Sequence, residues 1–120
     1  MKILVVDDEP NIVKMVKSRL QAYGHLVIEA FDGEEALVKV ESERPDLVIL
    51  DVMMPKMDGL KVCDILKDSK ENRHIPIIML TAKGEVHDMK TGLKRGADAY
   101  LTKPFKPDVL LGLIQGLVGK

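Results

Sequence analysis

The sequence has little cysteine and no surplus of charge of either sign. Its single cysteine, Cys63, excludes a disulfide within the chain and is typical of a reducing compartment, so we expect a cytoplasmic protein. The chain carries 18 basic and 19 acidic residues, for a net charge of -1. Because binding to nucleic-acid phosphates needs a basic surplus, we expect no direct nucleic-acid binding by this chain.

Long hydrophobic runs are also absent. The apolar runs are far shorter than the roughly 20 residues of a transmembrane helix, so we expect no membrane-spanning segment. The opening stretch MKILVVDDEP is too short, and acidic too soon, for a secretory signal peptide. The 120 residues are 46% apolar and 31% charged, which is typical of a globular protein, and we expect one domain over residues 1–120.

Five short apolar runs rich in β-branched residues recur along the chain. They are Ile3–Val6, Leu26–Ile28, Leu47–Leu50, Ile77–Leu80 and Ala99–Leu101. Four are nearly continuous, which indicates strands covered on both faces, as in a parallel sheet between helices. The last has the character of an edge strand.

A helical pattern follows each of these runs. The predicted helices run from about Asn11 to Tyr23, from the capping residue Asp32 to before Pro45, from Asp58, around Met89 to Gly96, and from about Pro107. The alternation is therefore (βα) five times. Right-handed crossovers then give an α/β fold with a doubly wound five-stranded parallel sheet.

Polar residues collect where the predicted strands end. Asp7 and Asp8 follow the first strand, Asp51 ends the third, Thr81 and Ala82 end the fourth, and Lys103 follows the fifth. The carboxyl ends of parallel strands meet at one edge of the sheet, where the sites of such folds form. Three carboxylates brought together repel one another, which implies a bound cation or raised pKa values.

The residue types at this edge favour phosphoryl transfer. Oxygen ligands without histidine suit Mg²⁺, while Lys103 adds a fixed positive charge and Thr81 a hydroxyl donor. Asp51 is then the candidate nucleophile, and Mg²⁺ and Lys103 balance its charge at the end of a buried strand. No glycine-rich phosphate loop is present, so nucleotide binding is not expected.

Each of these residues has a simpler explanation when it is taken alone. Asp7 and Asp8 could end a strand and cap a helix, Asp51 could be a turn residue, and Thr81 could cap the fourth helix. Lys103 could be a surface lysine, and Tyr100 a half-buried aromatic residue at the sheet edge. The combination of the acidic residues with Lys103 disfavours the simpler explanations.

Four stretches together resemble the receiver domain of two-component response regulators. They are Asp7-Asp8, LVILDVMMPKMDG around Asp51, Thr81-Ala82, and GADAYLTKPF from Gly96 to Phe105. The resemblance covers the whole chain and implies the strand order 2-1-3-4-5 of a flavodoxin-like three-layer sandwich. It also implies a signalling switch and not an enzyme, although such a domain assists its own phosphoryl transfer and dephosphorylation.

The resemblance implies a role for each acidic residue. Asp51 would accept a phosphoryl group from a phosphohistidine on a sensor histidine kinase or a histidine phosphotransfer protein. Asp8 and Asp51 would ligate Mg²⁺ directly, together with the backbone carbonyl of Met53. Asp7 would act through a water molecule.

The resemblance also implies how the signal would leave the site. Lys103 would pair with a phosphoryl oxygen, and its bond to Pro104 would be cis. Thr81 would hydrogen-bond the phosphoryl group, helped by the backbone N–H of Ala82, and Tyr100 would turn inward as Thr81 moves. An output domain or partner protein would respond at the face formed by the fourth helix, fifth strand and fifth helix.

The chain departs from the receivers of DNA-binding regulators with a winged-helix output. Those receivers commonly dimerise through charged residues on the fifth strand and the last two helices. The corresponding positions here are Ala99, Val109 and Leu113, which disfavours that dimer. We hypothesise that Val109 and Leu113 help to dock a partner or a second domain instead.

Two other functions agree less well with the sequence than the signalling switch. A Mg²⁺ phosphohydrolase with an aspartyl nucleophile usually carries a second Asp two positions later, where this chain has Met53. A receiver-like binding module that is never phosphorylated would normally have lost Asp51 or Lys103. The sequence therefore favours the switch.

Overall fold

Five strands and four helices form the part of the chain that the computed structural model describes, residues 1–82 and 97–118. Strands β1 to β5 span Lys2–Val6, Leu26–Ala30, Leu47–Asp51, Ile77–Ala82 and Ala99–Lys103. Helices α1 to α3 span Pro10–Ala22, Gly33–Glu43 and Gly59–Asp68, and the C-terminal helix spans Pro107–Val118. The predicted fourth helix lies outside the described residues.

All neighbouring strands pair in parallel, in the order β2-β1-β3-β4-β5. This confirms the predicted doubly wound α/β fold and its strand order. β3 lies at the centre and is buried along its whole length. β5 lies at one edge, as its sequence predicted, and is only partly buried.

The continuous apolar runs are explained by two hydrophobic clusters, one on each face of the sheet. In β1, Leu4 and Val6 belong to the cluster beneath α2 and α3, which includes Cys63. Ile3 and Val5 belong to the cluster beneath α1 and the C-terminal helix. Successive side chains of a strand point to opposite faces, so a strand covered on both faces is apolar at every position.

The strands run further than the apolar pattern predicted. Asp51 and Thr81 lie at the ends of β3 and β4, as predicted, whereas Lys103 is the last residue of β5, although we expected it just beyond the strand end. Asp51 pairs with Leu80, and Thr81 pairs with Thr102. Their backbone groups continue the ladder whatever the polarity of the side chains. The polar residues at this edge are therefore held by the sheet itself.

Side-chain caps fix where α2 and α3 begin. The Asp32 carboxylate accepts a hydrogen bond from Glu35 N (2.8 Å), while Glu35 Oε1 accepts one from Phe31 N (2.6 Å). This confirms the predicted capping pattern of α2. At the start of α3, the Asp58 carboxylate accepts a hydrogen bond from Lys61 N (2.9 Å). Both helices start close to the carboxyl edge of the sheet.

The exposed side of the C-terminal helix is less apolar than the sequence indicated. Val109 is 49% exposed, whereas Leu113 packs in part against the hydrophobic cluster beneath this helix. The docking role of Val109 and Leu113 stays a prediction.

Among the helices described, none is both long and apolar enough to span a bilayer.

Candidate functional site

Lys103 and two of the predicted aspartates meet at the carboxyl edge of the sheet. Asp7 comes directly after β1, Asp51 is the last residue of β3, and Lys103 is the last residue of β5. The Lys103 ammonium lies 2.8 Å from Asp7 Oδ2 and 3.4 Å from Asp51 Oδ1. Residues far apart along the chain are thus brought into ionic contact.

Asp8 completes an acidic cluster with Asp7 and Asp51. One carboxylate oxygen from each of the three residues lies within 4.8 Å of the others. Asp7 and Asp51 are buried, whereas Asp8 is exposed to solvent. An open cluster of oxygen donors fits Mg²⁺, which takes a few protein ligands and keeps several waters.

The two buried carboxylates are not fully balanced by Lys103. Burial raises the pKa of Asp51 to about 7, and the negative charge of Asp7 adds to this effect against the opposing charge of Lys103. Burial also raises the pKa of Asp7, although Lys103 and the backbone of Glu9 oppose it. A group that prefers to stay protonated here marks a place where more positive charge is favourable.

Lys103 stays charged in this surrounding. Burial works to lower its pKa, but contacts with Asp7 and Asp51 outweigh burial and raise the pKa above its ordinary value. The Lys103–Pro104 peptide bond is cis, as the sequence predicted. The ammonium is therefore a permanent cation at the edge of the acidic cluster.

Thr81 lies on β4, the strand next to β3, and Tyr100 lies on β5, the edge strand beyond β4. Thr81 is fully buried in β4, and its hydroxyl has no hydrogen-bond partner within the described part of the chain. A buried hydroxyl without a partner is uncommon and marks a place where a further polar group can bind. Tyr100, on β5, is half-buried and packs against the cluster beneath α2 and α3.

The loop that follows Asp51 is held by close backbone contacts. Gly59 N donates a hydrogen bond to Val52 O (2.8 Å), and the Cα of Gly59 faces the carbonyl of Asp51 so closely that a Cβ would collide with it. Lys56 in this loop adopts a positive φ of 68°. Met53, whose carbonyl is the predicted third metal ligand, has a side chain that is 60% exposed.

Sequence reasoning missed Glu9. Its carboxylate lies 3.3 Å from the Lys103 ammonium, and its backbone N–H donates to Asp7 Oδ1 (3.0 Å). Glu9 continues the acidic run Asp7-Asp8-Glu9, but the predicted site included only Asp7 and Asp8. Nothing in the sequence pattern indicates that the third acid contacts a lysine 94 positions away.

Comparison with known proteins places these residues in a family. Residues 3–115 match the family described as response regulator receiver domain. The chain is 56% identical over 106 residues to the alkaline phosphatase synthesis transcriptional regulatory protein PhoP of Bacillus subtilis, which covers 88% of this chain and 43% of that protein. It is 52% identical to the probable transcriptional regulator ycf27 of Guillardia theta, over 98% of this chain and 45% of that protein.

Solved structures agree with the sequence comparison. The chemotaxis response regulator CheY4 of Vibrio cholerae superposes with a TM-score of 0.91 at 38% identity, over 98% of both chains. The chain spans less than half the length of either curated relative named above. The shared region is therefore one part of those transcriptional regulators.

Proposed function

The chain belongs to the family of response regulator receiver domains, and we propose that it is a phosphoacceptor switch with Asp51 as the acceptor. Receiver domains are signalling domains of two-component systems, in which response regulators act with sensor histidine kinases and output domains. The observation that carries the proposal is the contact of the Lys103 ammonium with Asp51, 3.4 Å apart at the edge of the acidic cluster. We assign the receiver to residues 1–120.

The proposed reaction is a transfer between two nucleophiles without redox change. An Asp51 carboxylate oxygen attacks the phosphorus of a phosphohistidine on a sensor kinase or a histidine phosphotransfer protein. The O–P bond forms, the N–P bond breaks, and the electron pair of that bond leaves with the histidine. Lys103 pairs with a phosphoryl oxygen and stabilises the charge that develops there.

Mg²⁺ is the proposed cofactor, and the acidic cluster supplies its ligands. Asp8 and Asp51 would hold the ion directly with the backbone carbonyl of Met53, and Asp7 would hold it through a water molecule. When bound, the ion supplies positive charge to the acceptor and to the phosphoryl oxygens. The closeness of the three carboxylates and the raised pKa of Asp51 support this assignment.

The Thr81 hydroxyl, which has no hydrogen-bond partner among residues 1–82 and 97–118, supports the proposed response to phosphorylation. A phosphoryl oxygen on Asp51 would accept a hydrogen bond from this hydroxyl, helped by the backbone N–H of Ala82. Thr81 would then move toward the acceptor and Tyr100 would turn inward beside it. The proposed response is a population shift at the face of the fourth helix, β5 and the C-terminal helix, where an output domain or partner protein binds.

Intact-mass spectrometry after incubation with acetyl phosphate and Mg²⁺ tests the proposal. We expect one phosphoryl group per chain in the wild type, no label in Asp51→Asn, and a normal label in the control Asp68→Asn, which alters an exposed acid at the end of α3. Stoichiometric label on Asp51→Asn would place the acceptor elsewhere. Many turnovers of an added phosphate monoester would instead indicate a phosphohydrolase.

A further inference from the structure

The Lys103 ammonium faces three carboxylates, of which the proposed chemistry uses only two. The third is Glu9, whose Oε1 lies 3.3 Å from Nζ, almost the same distance as Asp51 Oδ1 at 3.4 Å. The side chain of Glu9 is 62% exposed, and that of Lys103 is 16% exposed. Glu9 occupies the capping position of α1, but its side chain makes no capping hydrogen bond. The role of this side chain is therefore to be sought in its contact with Lys103 and not in helix capping.

We propose that Glu9 is a positioning residue that holds the Lys103 ammonium at the rim of the site and slows phosphoryl loading of Asp51. The inference rests on the proposed function, in which Lys103 must pair with the incoming phosphoryl group. An ammonium held between Glu9 and Asp51 has to leave Glu9 before it can follow that group. Removing Glu9 removes this competition.

A divalent cation in the acidic cluster would move the Lys103 ammonium toward Glu9. Its positive charge offsets the attraction of Asp7 and Asp51 for the ammonium and repels the ammonium directly. Glu9 does not belong to the cluster of Asp7, Asp8 and Asp51, so its attraction for Lys103 is offset less. The balance between Glu9 and Asp51 therefore shifts toward Glu9 in the state that is ready for phosphoryl transfer.

Two substitutions separate a positioning contact from a general field effect. Glu9→Gln removes the charge, whereas Glu9→Asp keeps the charge but is one methylene shorter and draws away from Nζ. Because a partly exposed ion pair is a weak interaction, we expect both variants to be labelled by acetyl phosphate about two- to five-fold faster than the wild type. Glu34→Gln, which removes an exposed acid from the first turn of α2, is the matched control and should leave the rate unchanged.

The outcomes are distinct. Faster labelling of both Glu9 variants supports the positioning role. Faster labelling of Glu9→Gln alone overturns it in favour of simple repulsion of the phosphoryl donor, and unchanged rates in both overturn it outright. No label on the wild type would contradict the proposed function itself.

A readout that does not depend on phosphorylation completes the test. We expect the side-chain nitrogen resonance of Lys103 to move in both Glu9 variants of the unphosphorylated protein, and not in Glu34→Gln. A Lys103 resonance that stays in place in both variants would show that the contact is absent in solution and would overturn the proposal even if the rates changed.

Discussion

Gly59→Ala is expected to destabilise the fold by about 3 kcal/mol and to weaken Mg²⁺ binding. A Cβ at this position would collide with the backbone carbonyl of Asp51, which belongs to the buried central strand. Neither atom can rotate away, because the Cβ is fixed by the backbone at position 59 and the carbonyl belongs to the backbone of Asp51. The substitution should therefore shift either the start of α3 or the acceptor strand, and urea unfolding would measure the loss of stability.

Gly112→Ala in the C-terminal helix is the matched control. A Cβ on Gly112 would meet no atom within 4 Å, and the residue lies exposed inside a helix. Alanine favours the helix over glycine, so this variant should gain about 0.5–1 kcal/mol. Equal stabilities of the two variants would show that the close approach of Gly59 to Asp51 is not a constraint in solution.

Asp51→Asn is expected to stabilise the Mg²⁺-free protein by about 2–4 kcal/mol near neutral pH and above. The folded protein raises the pKa of Asp51 from 3.8 to about 7, mainly through burial. A carboxylate whose pKa is raised on folding opposes the folded state once it ionises. Asparagine removes the charge, but it also removes a partner of Lys103, which reduces the gain.

The sign of the pH dependence follows from proton binding. Between about pH 4 and pH 7 the folded wild type keeps the Asp51 proton while the unfolded chain loses it, so the stability of the wild type falls as pH rises. Above the folded pKa the loss is complete and constant. The advantage of Asp51→Asn should therefore grow across this window and level off above it.

Urea unfolding in the presence of a chelator, at about pH 5 and about pH 8, measures this difference. Asp68→Asn should show no comparable change, because Asp68 is exposed. A stability gain of the same size at both pH values would contradict the raised pKa. Destabilisation by Asp51→Asn at the higher pH would show that Lys103 alone balances the charge.

The fold was largely predictable because burial leaves a mark on the sequence. A strand covered on both faces is apolar at each position, as the run ending at Leu50 shows, and such strands alternate with helices only in a few topologies. The strand ends were less predictable. Lys103 continues the backbone ladder of β5, and the polarity of a side chain does not reveal whether its backbone is paired.

The candidate site was predictable only in part for a related physical reason. Chemistry identifies Asp51 and Lys103 as a pair, since a carboxylate at a buried strand end requires a cation. Contacts set by tertiary geometry carry no such signature. The ion pair of Glu9 with Lys103 and the close approach of Gly59 to Asp51 emerge only when the chain is folded.

In the proposed switch, a divalent cation and Lys103 together stabilise a buried negative charge on Asp51. The most direct test is an NMR titration of the Asp51 carboxyl carbon, with and without saturating Mg²⁺. We expect a pKa near 7 in the Mg²⁺-free protein, because the carboxyl group is buried, and a much lower pKa once Mg²⁺ is bound. If Mg²⁺ left the pKa of Asp51 unchanged, the bound cation would not stabilise the Asp51 carboxylate, and the proposed role of Mg²⁺ would be wrong.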